Sequence, residues 1–135
     1  MSDFPVTVFH NPSCGTSRNA LALVRAAGYA PEVVDYVKVG WTVPQLKALL
    51  KAMGRSPRDV MRVRGTPAET LGLTGPAATD DQILLAMTEH PILVERPIVQ
   101  TPKGVVLGRP VERIADILER RPTSFTKESG EVVNL

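Results

Sequence analysis

The stretch most informative about the architecture is residues 4–37, with the sequence FPVTVFHNPSCGTSRNALALVRAAGYAPEVVDYV. Its first segment, from Phe4 to Phe9, is short, apolar and rich in β-branched residues, which predicts a buried strand inside a sheet. Ser17 to Ala27 places apolar residues on one helical face, and Gly28 is a typical C-terminal stop. Glu32 to Val37 predicts a second strand. A strand, a helix and a strand in this order predict a parallel βαβ unit.

The middle of the chain has the pattern of successive helices. Thr42-Val43-Pro44-Gln45 and Thr79-Asp80-Asp81-Gln82 are capping boxes, in which a threonine hydroxyl and a glutamine side chain satisfy the first backbone groups of a helix. Ser56-Pro57-Arg58-Asp59 opens a shorter helix between them. These starts predict at least three helices before the sheet resumes.

The sheet resumes near Pro97 with a hairpin. Ile98 to Gln100 and Val105 to Leu107 are short strands, and the Pro and Gly between them predict a tight turn. A last helix is predicted after Pro110. Beyond Pro122 the composition becomes polar, and we expect a loosely held tail.

Composition limits the class of protein. The chain has 135 residues, of which 43% are hydrophobic and 22% charged, so we expect one soluble globular domain. A net charge of +2 does not suggest a nucleic-acid partner. No apolar run approaches the ~20 residues that span a bilayer, and the N-terminal residues lack the features of a signal peptide. We therefore expect a cytoplasmic protein that contacts neither membrane nor nucleic acid.

The single cysteine, Cys14, narrows the chemistry further. One cysteine cannot form an internal disulfide, and with His10 and His90 as the only other nitrogen or sulfur ligands a cysteine-rich zinc site is excluded, so we expect no metal. Cys14 is thus either an inert buried thiol or a reactive one. A polar, glycine-containing loop favours the reactive interpretation.

Cys14 falls in the turn between the first strand and the first helix, where ligands bind in open α/β sheets. Unpaired N–H groups at a helix N-terminus stabilise a thiolate and lower its pKa. Gly15 permits close approach of a ligand, Thr16 and Ser17 can cap the helix or donate to the thiolate, and Arg18 adds positive charge. Cys-Gly-Thr-Ser looks like a single-thiol version of a thioredoxin-type site, so any disulfide must form with another molecule.

The candidates for an anion-binding cluster are three arginines distant in the sequence: Arg62, Arg96 and Arg109. Any one of them alone is more often a solvated surface residue. Arg-Pro occurring twice at strand edges, however, is unusual, and guanidinium groups gathered around a thiolate would bind a tetrahedral oxyanion through paired hydrogen bonds.

Three segments together carry a family resemblance. Residues 10–19 (HNPSCGTSRN), 90–99 (HPILVERPIV) and 104–110 (GVVLGRP) resemble, in order and spacing, the signatures of the glutaredoxin-dependent arsenate reductases. The resemblance implies an α/β fold with a thioredoxin-like core (βαβ…ββα, a mixed four-stranded sheet) and an inserted helical region. It also suggests a cis peptide bond before Pro97.

The same resemblance implies a division of the single domain, residues 1–135. The core would comprise about 4–37 and 90–121, the helical insertion about 42–89, and the tail about 122–135.

The resemblance further implies roles for individual residues. Cys14 would be the nucleophile that attacks arsenate. Arg62, Arg96 and Arg109 would bind the oxyanion. His10 and Ser17 would tune or hold the thiolate, while the anion loop would be shaped by Asn11, Gly15, Thr16 and Arg18. From the residues alone, His10 can equally be a surface imidazole that ends the strand, and Ser17 can be a helix cap, a thiolate donor or both.

The implied partners are arsenate, glutathione as co-substrate and glutaredoxin, with no bound cofactor and a monomeric chain. Three alternatives remain open from the sequence. The first is a reductase of the same fold with another substrate. The second is an RNA-polymerase-binding regulator of the Spx type, although Ser17 removes the redox Cys-x-x-Cys switch common in those regulators. The third is a monothiol glutaredoxin that acts on protein mixed disulfides.

Overall fold

The computed structural model describes residues 4–135, which divide into two compact units. The first unit comprises residues 4–35 and 96–135, and the second comprises Tyr36–Glu95.

The first unit is built on a four-stranded mixed sheet. Its strands are β1 (Thr7–His10), β2 (Glu32–Asp35), β3 (Ile98–Thr101) and β4 (Gly104–Leu107), in the order β2-β1-β3-β4. The parallel β1–β2 pair, joined through helix α1 (Gly15–Ala26), confirms the predicted βαβ unit. β3 pairs antiparallel with both β1 and β4, which gives the predicted hairpin. The α/β class and the thioredoxin-like core are therefore confirmed.

One face of this sheet carries the core of the first unit. Val8 and Val99 lie side by side on β1 and β3, without exposure to solvent. They pack with the apolar face of α1, which includes Leu23 and Val24, and with a 3₁₀ helix over Val111–Ile117. The last helix predicted from the sequence is thus present in the tighter 3₁₀ form.

The second predicted strand ends earlier than expected. β2 stops at Asp35, and Tyr36–Val39 forms a short helix, α2. The pairing partner explains the difference, because Asp35 lies opposite His10, the last residue of β1. Beyond that point no partner groups in β1 remain for a longer β2. The side chain of Tyr36 is instead fully buried, and its hydroxyl donates to the carbonyl oxygen of Val94 at 2.7 Å.

The prediction of a loosely held tail is wrong. Residues of the tail form an antiparallel hairpin of β5 (Ser124–Thr126) and β6 (Val132–Asn134). Phe125 and Val133 face each other across this hairpin and belong to the core cluster of the first unit. One apolar side chain that points to the core is sufficient to anchor each of these short strands, so the polar average of the segment was misleading.

The second unit is mainly helical. It contains α3 (Val43–Met53), α4 (Asp80–Glu89) and 3₁₀ turns at Arg58–Val60 and Pro91–Leu93. Both predicted capping boxes are present, with Thr42 bonded to Gln45 and Thr79 to Gln82. Within residues 4–135, no helix combines the length and the apolar character that crossing a bilayer requires.

Candidate active site

Cys14 is the N-cap residue of α1, at the end of the turn that follows β1. The turn is held locally, since the Cys14 N–H donates to the carbonyl oxygen of Asn11 at 3.0 Å. The side-chain oxygen of Asn11 accepts the N–H of Ser13 at 2.9 Å. These two bonds fix the thiol at the positive end of the helix, as the strand-turn-helix pattern predicts.

Opposing effects act on the thiol of Cys14. Burial raises its pKa, but the backbone N–H groups of Ser17 and Thr16, the Arg109 side chain and the charge of Arg96 all favour the thiolate. The stabilising interactions outweigh burial, so the pKa of Cys14 lies below its ordinary value. The thiol is half-buried, which leaves it accessible to a small reactant.

Two of the three predicted arginines act on this thiol. The Nη1 atom of Arg109 is 3.9 Å from Sγ of Cys14 and donates to the carbonyl oxygen of Arg96 at 3.1 Å. Arg96 is only 6% exposed, and its charge lowers the pKa of Cys14. Each of these arginines precedes a proline joined through a cis peptide bond. A thiolate that has one guanidinium 3.9 Å away, the charge of a second acting on it and helix N–H groups beside it can accept an oxyanion.

Arg62 belongs to the second unit. It follows Met61, which forms an isolated antiparallel bridge with Val94, and its own N–H donates to the carbonyl oxygen of Leu93 at 2.7 Å. Its guanidinium donates from Nε to the carbonyl oxygen of Arg64 at 3.1 Å and from Nη1 to Glu95 at 3.5 Å. Its role in anion binding stays a prediction.

His10 and Ser17 form a buried pair beneath the turn. The Nδ1 atom of His10 is 2.6 Å from the hydroxyl oxygen of Ser17, which also accepts the Asn11 N–H at 3.1 Å. Burial lowers the pKa of His10, and the charges of Arg18 and Arg25 add to this effect, while Asp35 opposes it. With the imidazole neutral, we assign the Ser17 hydroxyl as the donor to Nδ1.

This pair revises the expectation for Ser17. Its hydroxyl caps no helix end, because α1 has no side-chain cap. The group of Ser17 that favours the thiolate is its backbone N–H. The hydroxyl instead connects β1 to the first turn of α1.

Arg18 is engaged by the C-terminal hairpin. Its guanidinium forms a two-point ion pair with Glu128, with distances of 2.7 and 3.1 Å, and donates to the carbonyl oxygen of Pro12 at 2.7 Å. The bond to Glu128 raises the pKa of Arg18, and the same bond lowers the pKa of Glu128. Arg18 therefore shapes the loop by tying it to the hairpin.

Gly15 opens α1 next to the thiol. A Cβ atom placed there would lie 3.7 Å from Nη2 of Arg18 and 3.8 Å from Oε1 of Glu128, which is ordinary contact. The protein itself thus leaves room for a side chain at this position.

Four further residues define the site and were not singled out from the sequence. Gly108 precedes Arg109, and a Cβ there would come within 2.9 Å of Ile114 and 3.1 Å of Pro97. Asn19, Lys127 and Glu128 line or support a cavity beside Arg109. Gly108 lies inside the third motif and Asn19 inside the first, so both had a signal in the sequence. Lys127 and Glu128 had none, and the contacts of Glu128 with Arg18 and Asn19 join positions more than 100 residues apart.

The part of the chain that the structure describes contains no set of metal ligands. Residues 4–135 contain no group of three or more His, Cys, Asp or Glu side chains arranged to hold an ion. The chemistry available at Cys14 is that of a nucleophilic thiolate in a cationic environment.

Comparison with known proteins gives a consistent family. The model of the ArsC family matches residues 9–117. An arsenate reductase of Synechocystis sp. is 52% identical over 134 residues, which cover 98% of this chain and 93% of that protein. An arsenate reductase of Escherichia coli is 45% identical over 129 residues, covering 95% and 92%. The structure of the arsenate reductase from Vibrio cholerae superimposes with a TM-score of 0.82 at 37% identity, covering 87% of this chain and 100% of the other.

Proposed function

The chain belongs to the ArsC family, and on this premise we propose that it reduces arsenate to arsenite, with glutathione as the external thiol and glutaredoxin as the final reductant. The observation that carries the proposal is the approach of Arg109 Nη1 to within 3.9 Å of Sγ of Cys14, a thiol whose pKa lies below its ordinary value. A cationic donor beside a thiolate stabilises an incoming oxyanion and the charge that develops on it. We propose that the reaction takes place in the cytoplasm, on a monomeric chain.

In the first step, the thiolate of Cys14 attacks the arsenic atom. An S–As bond forms, the bond from arsenic to one hydroxyl group breaks, and that hydroxyl takes up a proton from solvent and leaves as water. Arsenic stays in the pentavalent state. Arg96 and Arg109 neutralise the remaining oxyanion, and Arg62 is the third cation proposed for it on the pattern of the family.

In the second step, the glutathione thiolate attacks Sγ of Cys14. An S–S bond forms and the S–As bond breaks, with its electron pair remaining on arsenic, which becomes trivalent and leaves as arsenite. The two sulfur atoms are oxidised together by two electrons. A glutaredoxin thiolate then attacks the sulfur of the bound glutathione and releases the Cys14 thiolate.

The need for an external thiol follows from the single cysteine of the chain. Ser17 occupies the position of a resolving cysteine, and its hydroxyl is engaged with His10. A hydroxyl cannot take part in disulfide exchange, so the second sulfur has to come from another molecule.

The direct test is arsenate-dependent NADPH oxidation with the purified protein, glutathione, glutaredoxin and glutathione reductase. We expect turnover that disappears in Cys14→Ser and when glutaredoxin is omitted, while Arg113→Ala, an exposed arginine on the 3₁₀ helix after the site, keeps full activity. Turnover equal to the Cys14→Ser background would exclude arsenate as the substrate. Release of glutathione from glutathionylated proteins in that case would favour a glutaredoxin-like activity.

A further inference from the structure

A cavity of about 180 Å³ lies beside the thiolate site, and four of the residues that line it, Asn19, Pro110, Val111 and Lys127, have no part in the proposed oxyanion chemistry. Its lining comes from three segments of the first unit: α1, the loop after β4 and the C-terminal hairpin. The lining residues are Thr16, Asn19, Arg109, Pro110, Val111 and Lys127.

Arg109 connects this cavity to the reactive sulfur. It lines the cavity and also places Nη1 3.9 Å from Sγ of Cys14. Cys14 itself does not line the cavity. A molecule bound in the cavity therefore lies close to the thiol and leaves free the position at Sγ where arsenate would bind.

The lining suits one kind of ligand group. Arg109 and Lys127 are two cations for a carboxylate, and Asn19 and Thr16 supply a carboxamide and a hydroxyl for peptide groups. Val111 is buried and gives the cavity an apolar wall. An anionic, peptide-like group uses each of these features.

The cation of Lys127 has an exchangeable partner. Its Nζ atom is 3.2 Å from a carboxylate oxygen of Glu131, a residue that is 64% exposed at its side chain. Solvent-exposed pairs of this type contribute little to stability. A ligand carboxylate can replace Glu131 without a large loss of free energy.

The contacts of Glu128 fix the position of the hairpin, so that Lys127 lines the cavity. Besides its ion pair with Arg18, the Glu128 N–H donates to the side-chain oxygen of Asn19 at 3.0 Å. Asn19 thus holds the hairpin and lines the cavity. The C-terminal hairpin is a wall of the site rather than an appendage to the core.

We propose that this cavity binds a carboxylate arm of glutathione and so directs the external thiol onto Cys14. The inference rests on the proposed function, which needs such a thiol. Cavities that enclose a whole drug-sized ligand measure about 300–1,000 Å³. The smaller volume here accommodates one arm of the tripeptide and leaves its sulfur free to reach Sγ.

The test separates binding from turnover by using S-methylglutathione, which keeps both carboxylates and cannot react. Calorimetric titration compares the wild type with Lys127→Met, which retains the aliphatic stem, and with Lys127→Glu, which reverses the charge. We expect affinity to fall about tenfold in Lys127→Met, the loss of one hydrogen bond to a charged group, and further in Lys127→Glu. Lys47→Met, on the exposed side of α3, is the matched control and keeps wild-type affinity.

Steady-state kinetics give the second readout. In Lys127→Met the KM for glutathione rises about tenfold, the KM for arsenate changes less than about twofold, and the rate with 2-mercaptoethanol, which has no carboxylate, is unaffected. Equal S-methylglutathione affinity in wild type and Lys127→Met overturns the proposal, as does an absence of binding to the wild type. Binding that depends on Lys127 in a protein without arsenate turnover supports the site and refutes the proposed substrate.

Discussion

The Nη1 atom of Arg109 lies 3.9 Å from Sγ of Cys14 and 3.1 Å from the carbonyl oxygen of Arg96. The second contact anchors the guanidinium, so the first does not depend on the thiolate alone. When one N–H group of a planar guanidinium is hydrogen-bonded, the directions of its other N–H groups are restricted as well. Arg109 is therefore preorganised to meet an anion at the sulfur.

Replacing Arg109 tests this arrangement. In Arg109→Ala we expect the pKa of Cys14 to rise, because a cation that favours the thiolate is lost. We expect kcat/KM for arsenate to fall by about 10²-fold or more, as for other losses of a preorganised donor. The rate of Cys14 alkylation by iodoacetamide, measured from pH 5 to 10, reports the pKa. An unchanged alkylation profile would contradict the role of Arg109, and Arg113→Ala serves as the control.

The side chain of Ser17 is predicted to stabilise the fold, and its backbone N–H is predicted to stabilise the Cys14 thiolate. Ser17→Ala removes the hydroxyl from Nδ1 of His10 and from the N–H of Asn11, leaving two buried groups unpaired. We expect the free energy of unfolding to fall by about 1–3 kcal/mol. The alkylation pKa of Cys14 should move less than in Arg109→Ala, since the Ser17 N–H remains.

Urea denaturation measures the stability of Ser17→Ala, and the alkylation profile measures the pKa of its Cys14. Ser124→Ala, at an exposed position of β5, is the control for loss of a hydroxyl. A Ser17→Ala protein of wild-type stability whose Cys14 pKa rises sharply would show the hydroxyl to be a thiolate donor after all.

The sequence predicts well the strands and helices that position this site, because the patterns that predict them are local. The βαβ unit, both capping boxes and the β3–β4 hairpin depend on residues a few positions apart. Cys14 at the start of α1 follows directly from these elements. The end of β2 could not be predicted in the same way, since it depends on where β1 ends its pairing.

The remainder of the site depends on contacts between distant segments. The pair between Arg18 and Glu128 joins residues 110 positions apart, and neither side chain has a sequence pattern that identifies the other. The hairpin that carries Glu128 is anchored by few apolar residues, the buried Phe125 and Val133, with Leu135 packed against the same cluster. An average of the composition of this segment hides these few anchors, which is why the cavity wall was expected to be a loose tail.

His10 gives the protein a predicted pH dependence of stability. Burial lowers the pKa of His10 below its ordinary 6.5, so the folded state binds fewer protons than the unfolded state. Stability is therefore complete above pH 6.5 and is lost as the pH falls towards the folded pKa. In His10→Asn, whose side-chain oxygen can still accept from Ser17, we expect a shallower decline between pH 7 and 5.

Urea denaturation at a series of pH values measures this dependence. Carboxylates titrate mostly below pH 5, so the window isolates histidine. His90→Asn is the control for the other histidine of the chain. An equal slope in wild type and His10→Asn would assign the dependence to other groups.

Gly108 is predicted to accept a side chain only at a cost in stability. In Gly108→Ala the new Cβ would lie 2.9 Å from Cδ1 of Ile114 and 3.1 Å from Cγ of Pro97, so the Ile114 side chain, the Pro97 ring or the chain before Arg109 has to shift. Overpacking of this kind typically costs about 1–3 kcal/mol. Because Arg109 follows directly, we expect weaker arsenate binding as well as lower stability, measured by urea denaturation and the KM for arsenate. Gly75→Ala, where the nearest atom would be 3.9 Å away, should leave both unchanged; a fully stable Gly108→Ala would show that Ile114 adjusts freely.

The Gly15→Ala variant tests whether glycine at this position is needed for folding or for binding the oxyanion. In Gly15→Ala the Cβ would meet Arg18 and Glu128 only at ordinary contact distances, and alanine is favoured over glycine in a helix. Stability should therefore be unchanged or rise by about 0.4–1 kcal/mol. If the oxyanion approaches the backbone at this turn, the methyl group occupies its space, and the KM for arsenate rises severalfold while iodoacetamide alkylation of Cys14 stays normal. A stable Gly15→Ala protein with wild-type KM would remove Gly15 from the anion loop and leave binding to the arginines and the N–H groups of Thr16 and Ser17.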